Sequence, residues 1–497
     1  MKITFTIPGL PEKFTFAGSA SSISPQEKKQ FRLSICSQLP PHLVPFHACL
    51  FHKNGLGIVI CGPSGSGKST LADQLSAVGY QIMANDFLVV YAKKGQIFAG
   101  DLNFSHSNQG KQPIPVTNFI FLSPSDPRDC FRFNQTLASR CYNQTLAPLK
   151  SEFLKKFTNS TVFGQILNMH MVLGNRKNPQ RWCSSIYEMD SVPSLSSVGI
   201  IGLGIIGQDL ANLLLGQPWL NQLHLYSPNT AKLNAVVLDL KSAKPHMEIN
   251  AYAEAISIMQ KSDIVVICLR VKDSPAHANV EERMHRLSAH AEAFWHLSRS
   301  LRTSQFRGRL LVVTNPVDLM SAFLYQATQI NSTHQFSWDG LLSHQIYGIG
   351  LGLDYSRLLT IDSGTKNIEV VGPHGDDLQL AKIHGQHLVS HSNSDILNLV
   401  KQYSNRVRMG VERTRFGPVH EVVNVINALR DSGSARISLL NQFGSFLGEP
   451  VSMTNQLPQP LYAPSGKLRS QLHQISKSQI DLTKRLLESK ISQIQTL

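Results

Sequence analysis

Long apolar runs are the first thing this 497-residue sequence lacks. No stretch reaches the roughly 18 uninterrupted apolar residues of a membrane-spanning helix, and the opening MKITFTIPGLPEKF has no apolar core of a secretory signal. The expectation is a cytoplasmic protein with no membrane partner. Paired cysteine spacing is also missing. Cys36, Cys49, Cys61, Cys130, Cys141, Cys183 and Cys268 are an odd set without metal-ligand intervals, so reduced thiols are expected, with neither zinc nor a disulfide framework. No polar low-complexity tract interrupts the chain, and 42 % hydrophobic with 16 % charged residues is the balance of a sequence that folds throughout. The net charge of +14 is scattered: no basic arm, zinc finger or aromatic RNA-binding signature collects it, so nucleic acid is not an expected partner. Solvated surface and phosphate-bearing ligands account for the charge.

What is present is two Gly-rich loops, far apart, each following a β-branched apolar run and preceding a helical pattern. A chain of this length fits two to four domains, and the breaker-rich segment 175–197 between the loops reads as a boundary. The first loop runs from Gly62 to Ser69 between GLGIVIC and STLADQLSAVGY, a full Walker A pattern. Gly62, Ser64, Gly65 and Gly67 allow backbone amides to curl around phosphate oxygens. Lys68 reaches the terminal phosphates, and Ser69, followed by Thr70, is placed to ligate magnesium. ATP with magnesium is the expected ligand.

The surroundings of this loop, residues 45–92, resemble the catalytic domain of HPr kinase/phosphorylase. That resemblance gives His47 to the nucleotide site and makes Asp86, with Ser69, a magnesium ligand. It also implies a protein phosphoacceptor. The family's pair of adjacent aspartates is Asn85-Asp86 in this chain, which keeps nucleotide binding and removes half of the acidic pair used in phosphotransfer.

Gly202, Gly204 and Gly207, with Ile205 and Ile206 between them, form the second loop, after SVGII and opening the helix IIGQDLANLLLG. A tight turn, close approach of backbone to a pyrophosphate and a helix N-terminus aimed at it are what dinucleotide binding requires. The next strand, QLHLY, ends in Ser227 where that fold places a ribose-gripping acid. Serine removes the charge that repels a 2′-phosphate, and Lys232 is close enough in sequence to attract one, so NAD and NADP both stay open.

Three further segments carry polar groups at meaningful positions. GRLLVVTNPVDLMSAFLY places Asn315-Pro316-Val317-Asp318 between a strand and a helix. Leu353-Asp354-Tyr355-Ser356-Arg357 puts Asp354 and Arg357 on one helix face, where the arginine can fork onto a carboxylate and the aspartate can accept from an imidazole. VVGPHGDD then supplies that imidazole, His374.

In this order the three segments resemble the lactate/malate dehydrogenase family, over residues 196–497. The resemblance implies that Asn315 stands beside nicotinamide and substrate, Arg357 binds the substrate carboxylate, and His374 is the acid/base held by Asp354. Arg283, in RMHRLSAHAEAFWHL, becomes the arginine that polarises the carbonyl. Pro373 replaces the family's glutamate. The loop VKDSPAHANVEE departs from the family pattern, so substrate specificity is not carried over; Arg270 and Lys272 are candidates for a second carboxylate or for solvated surface.

The expected fold class is α/β. An HPr-kinase-like P-loop domain spans 1–180, a Rossmann domain 196–340, and an α+β substrate domain of lactate/malate dehydrogenase type 341–497. The expected function is NAD(P)-dependent interconversion of a small 2-hydroxy acid and a 2-oxo acid, on a chain that also binds ATP and forms homo-oligomers. The alternative is a nucleotide or metabolite sensor whose dehydrogenase fold regulates or scaffolds a kinase-like domain.

Overall fold

The computed structural model describes residues 2–6, 13–17, 39–53, 56–62, 68–77, 79–85, 87–93, 96–101, 114–122, 170–174, 195–270, 280–335, 340–362, 367–375, 377–411, 414–441, 443–454 and 456–495. It divides into two compact units, Met1–Glu188 and Met189–Leu497.

In the first unit, β1 (Lys2–Thr6) and β2 (Lys13–Ala17) form an antiparallel pair. A larger sheet comprises β3 (Val44–Phe46), β4 (Ala48–Lys53), β5 (Leu56–Cys61), β6 (Gln81–Asn85), β7 (Leu88–Lys93), β8 (Gln96–Asp101), β9 (Ile114–Leu122) and β10 (His170–Gly174). Its order is β3-β7-β8-β9-β5-β4-β6, with β10 parallel to β9. β5 ends at Cys61, and helix α1 (Lys68–Ala77) opens at Lys68. β5 is an inner strand with Ile58, Val59, Ile60 and Cys61 all buried, which is why GIVIC reads as a continuous apolar run rather than an alternating one.

The second unit begins with six parallel strands: β11 (Ser197–Ile201), β12 (Gln222–Tyr226), β13 (Glu248–Tyr252), β14 (Ile264–Ile267), β15 (Arg309–Val312) and β16 (Ile346–Gly348). Their spatial order, β13-β12-β11-β14-β15-β16, is the doubly wound dinucleotide-binding order, with its switch point between β11 and β14. The connecting helices are α2 (Ile205–Leu215), α3 (Thr230–Ala243), α4 (Ala255–Lys261), α5 (Val280–Ser304) and α6 (Val317–Thr328). Successive strand residues face opposite sides: Val198 and Ile200 enter one core with Leu210, Leu214 and Val237, while Ile201, Val265 and Ile267 enter the other with Phe294, Met320 and Phe323. Both faces are dry, and each fully buried Ile or Val contributes about 1.5–3 kcal/mol.

The sheet does not stop at the parallel strands. After α7 (Leu351–Ile361), β17 (Ile368–Val371), β18 (Gln379–His384), β19 (His387–Ser390), α8 (Ser394–Val411) and α9 (Phe416–Asp431), the chain returns to it. There β20 (Ser434–Leu440) pairs antiparallel with β16 through Gly348 and Ser438, and β21 (Phe446–Thr454) and β22 (Leu457–Pro460) extend it to nine strands. A smaller sheet, β17-β18-β19-β23, is closed by β23 (Ala463–Pro464), and the long α10 (Gly466–Gln495) follows.

α6 is buried on nearly every side and fixes the centre of this unit. Carbonyls at and just beyond its C-terminus are capped by Arg299 of α5, which donates to the Ala327 and Ile330 oxygens, and by Arg302, which donates to Thr328 at 2.6 Å. Among the described residues no helix is long and apolar enough to cross a membrane. Cys49, Cys61 and Cys268 are free thiols.

Candidate functional site

At the switch point the chain leaves β11 and turns at Gly202, where φ is +104° and a Cβ would lie 2.8 Å from the Cys268 carbonyl oxygen. Only glycine meets both conditions. The turn is pinned by the Gly202 N–H donating to the Tyr226 carbonyl at 3.0 Å. Gly207, in the first turn of α2, packs so tightly that a Cβ there would sit 2.0 Å from the Gly202 carbonyl oxygen. Gly204 is the opposite case: nothing lies within 4 Å of a Cβ built on it. It caps α2 without any side-chain bond to the first amides. Free amides at a helix N-terminus, approached through open space, suit an anionic pyrophosphate, so these residues fit a dinucleotide. Ile205 is exposed beside Gly204, and Ile206 packs against the core.

Ser227 follows β12 and is buried, its hydroxyl accepting the Asn229 N–H at 3.4 Å. Asn229 caps α3 by accepting from the Lys232 N–H at 2.9 Å, which fixes Lys232 in the first turn of that helix. At the end of β15, the buried Thr314 hydroxyl donates to the Leu269 carbonyl at 2.9 Å and so ties the β14 and β15 ends together. Asn315 comes next, exposed, in a cis peptide with Pro316.

The second cluster gathers around Asp354, in the first turn of α7. Its two oxygens are shared: Oδ1 accepts from Arg357 Nη1 at 2.8 Å, and Oδ2 faces His374 Nδ1 at 2.6 Å. Asp354 and Arg357 are only 3 % and 7 % exposed, so the pair acts in a medium where charge is poorly screened. Arg357 also lies over the Tyr403 ring, 5.9 Å from its centroid. His374 is reached from β17 through Gly372, which exchanges two backbone hydrogen bonds with Gly448 of β21, at 2.9 and 3.0 Å. Pro373 is buried between them.

Burial works against the imidazolium of His374, but the Asp354 carboxylate, by charge and by hydrogen bond, outweighs it with Asp318 behind, and the pKa is held above the ordinary histidine value. The carboxylate on Nδ1 takes that nitrogen's proton as a hydrogen bond, leaving Nε2 as the nitrogen that exchanges protons.

Three residues of this cluster carry no role in the sequence reading. Asp318, the last of the Asn-Pro-Val-Asp run, accepts the His374 backbone N–H at 2.9 Å. Gly350 makes room for the imidazole, since a Cβ there would lie 2.7 Å from His374 Cγ. Glu421 of α9 fills the space at Gly352, where a Cβ would fall 1.6 Å from its Oε1. The signal for Glu421 is a carboxylate within the apolar stripe of VHEVVNVINAL.

Burial pushes the Glu421 carboxyl up to about 7, against the Asn424 hydrogen bond and the Arg436 charge, with Asp354 adding to the rise. Arg436 is committed elsewhere, forking onto Glu369 at 2.8 and 2.7 Å and lying over the Tyr355 ring. Because the folded pKa of Glu421 is raised, ionisation costs stability as pH rises through the interval up to 7, by as much as about 3 kcal/mol. Glu421→Gln is therefore expected to gain stability over the wild type as pH rises from about 5 to about 8. Urea denaturation followed by tryptophan fluorescence at several pH values measures this, and parallel pH profiles for the two proteins would refute it.

Arg283 belongs to α5, but its side chain lies outside the described residues, as do Lys272 and the rest of 271–279. Arg270 is exposed. In the first unit, Ser64, Gly65, Gly67 and Asp86 lie outside the described residues, and Ser69 and Thr70 are described only as α1 backbone. Gly62 is buried at the end of β5, and Lys68 opens α1 with its Nζ donating to the Gly62 carbonyl at 2.6 Å. His47 is half-buried between β3 and β4. Among the described residues no group of three or more His, Cys, Asp and Glu side chains is gathered to hold a metal ion.

Residues 196–337 match the family model of the lactate/malate dehydrogenase NAD-binding domain. The L-lactate dehydrogenase 1 of Staphylococcus aureus (strain bovine RF122 / ET3-1) is 28 % identical over 190 residues, covering 36 % of this chain. The chain spans 55 % of that relative's length. Among solved structures, a lactate dehydrogenase from a Medee basin deep-sea metagenome library overlays with a TM-score of 0.49 and 20 % identity, covering 60 % of this chain and 100 % of that one. The malate dehydrogenase of Archaeoglobus fulgidus in complex with NADH gives 0.47 and 18 %, covering 59 % and 99 %. The C-terminal region of the chain is thus similar to the lactate/malate dehydrogenases.

Proposed function

We propose that the second unit is a nicotinamide-dependent oxidoreductase that interconverts a small 2-hydroxy acid and the corresponding 2-oxo acid. The observation that carries this reading is Asp354, whose two oxygens hold an imidazole and a guanidinium side by side. Such a pair offers a proton donor and a carboxylate clamp to one small substrate. The Gly202–Gly207 loop and Asn315 hold the cofactor, which supplies or accepts the hydride. Arg357 fixes the substrate carboxylate through its fork of N–H donors. Nε2 of His374 gives its proton to the carbonyl oxygen in reduction and takes the hydroxyl proton in oxidation. Asp354 stabilises the imidazolium, and Arg283 is assigned to polarise the carbonyl.

For the first unit, the Gly62–Ser69 loop is assigned to a nucleoside triphosphate, with Lys68 on the phosphates and Ser69 and Asp86 on magnesium. A homo-oligomer and a protein phosphoacceptor belong to the same proposal.

The test is oxidation of NADH and of NADPH by the purified protein with oxaloacetate, pyruvate and bulkier 2-oxo acids. Turnover with one pair names substrate and cofactor. Tight cofactor binding without turnover on any pair would refute the oxidoreductase and favour a sensor, a reading to which the missing acid at Ser227 lends support. The same position predicts cofactor choice. A carboxylate at the buried Ser227 position repels a 2′-phosphate by at least about 1–2 kcal/mol. Ser227→Asp is thus expected to move the ratio of kcat/KM about tenfold towards NADH, and an unchanged ratio would place the 2′-hydroxyl elsewhere.

A further inference from the structure

His374 touches two carboxylates, and only one belongs to the pair already described. Asp318 is 3 % exposed, in the first turn of α6, where free amides favour an anion. Its Oδ2 accepts the His374 backbone N–H at 2.9 Å. Geometry therefore grips the histidine twice, by Asp354 at the ring and by Asp318 at the main chain, from two different helices. α6 is buried almost all round and starts directly after Asn315-Pro316. The segment assigned to the nicotinamide and the loop carrying the imidazole are consequently joined through one rigid helix end.

We propose that Asp318 is a positioning residue for His374, setting the 372–375 loop by its backbone bond and favouring the protonated ring by its charge. This rests on the reading of His374 as the group that exchanges the proton. The groups facing the imidazole are Asp354 and Arg357 from α7 and Asp318 from α6, and Asp354 in turn acts on Glu421 of α9. Burial holds the Asp318 carboxyl above the ordinary carboxylate range, against the opposing pull of the nearby Ser438 hydroxyl, the His374 N–H and the imidazole. Once ionised, it has the imidazolium as a countercharge. A buried carboxylate whose principal positive neighbour is a titrating ring must raise the basicity of that ring.

The experiment reads the ring directly, by NMR titration of the ¹³C-labelled histidine Cε1, with the His374 resonance assigned by its loss in His374→Ala. Asp318→Asn keeps an oxygen for the His374 N–H and removes the charge. It is expected to lower the His374 pKa by about one pH unit and to move the pH profile of 2-oxo acid reduction downward by the same amount. Asp318→Ala is expected to add a fall in kcat through the lost backbone bond, and if that variant does not fold, the asparagine variant carries the test alone. An unchanged pKa in Asp318→Asn would overturn the proposal and leave Asp318 a structural acceptor. Because the titration needs no turnover, a lowered pKa in a protein without activity supports Asp318 while refuting the oxidoreductase.

Discussion

Replacing His374 by alanine is expected to lower the rate of 2-oxo acid reduction about 10²–10⁴-fold, the range that a positioned acid/base supplies, while cofactor binding at the Gly202 loop is retained. The loss falls on kcat because the proton moves only in the transition state. On the proposed mechanism, reduction needs the charged ring. It should therefore persist above the ordinary histidine range and fail as pH rises through the elevated His374 pKa, with the reverse order for oxidation. The same elevation means that the folded state gains stability from the charged ring at low pH and loses it through that interval. Steady-state rates in both directions across pH, beside cofactor titration by fluorescence, decide the matter. Undiminished turnover in His374→Ala would end the assignment.

Arg357→Lys should also be damaging, but in binding. Lysine keeps the charge and loses the planar fork, so a carboxylate is met by a point charge instead of two parallel bonds. Losing one of two charge-assisted hydrogen bonds while the charge stays costs about 1.5–3 kcal/mol, or about 10- to 150-fold in kcat/KM. Most of this should appear as a raised KM for the oxo acid, with cofactor affinity unchanged. Arg357 also gives Nη1 to Asp354 and lies over Tyr403, so a fraction of the loss enters kcat through the loosened aspartate. A variant with wild-type KM would show that the substrate carboxylate is held elsewhere.

The parts of this molecule that were legible in the sequence are those written locally. Apolar runs such as SVGII and IVVI announce inner parallel strands because both their faces are covered, and the Gly202 turn is visible because no other residue tolerates its φ and its contact with Cys268. Asp354 and Arg357 share a helix face by spacing alone. The pairing of β16 with β20 through Gly348 and Ser438 was not legible, since the two strands are far apart in sequence and neither pattern names its neighbour. Nor was the role of Asp318: an aspartate after Asn-Pro-Val reads as a first-turn acid, and only the folded chain brings the His374 amide to it. Glu421 stands out in the sequence only as a carboxylate in an apolar stripe, and its partner Gly352 is recognisable only once α7 and α9 are packed.

The unbroken sheet from β13 to β22 sets where this polypeptide could be divided. A fragment ending near residue 340 would keep the Gly202 loop but lose β16 and β20, stripping Tyr347, Val425, Ile437 and Met453 from the core that also holds Val198 and Ile200. The edge of β15 would stand bare beside that uncovered core, inviting other chains to pair with it. A cofactor-binding module cannot be cut from the second unit as a piece.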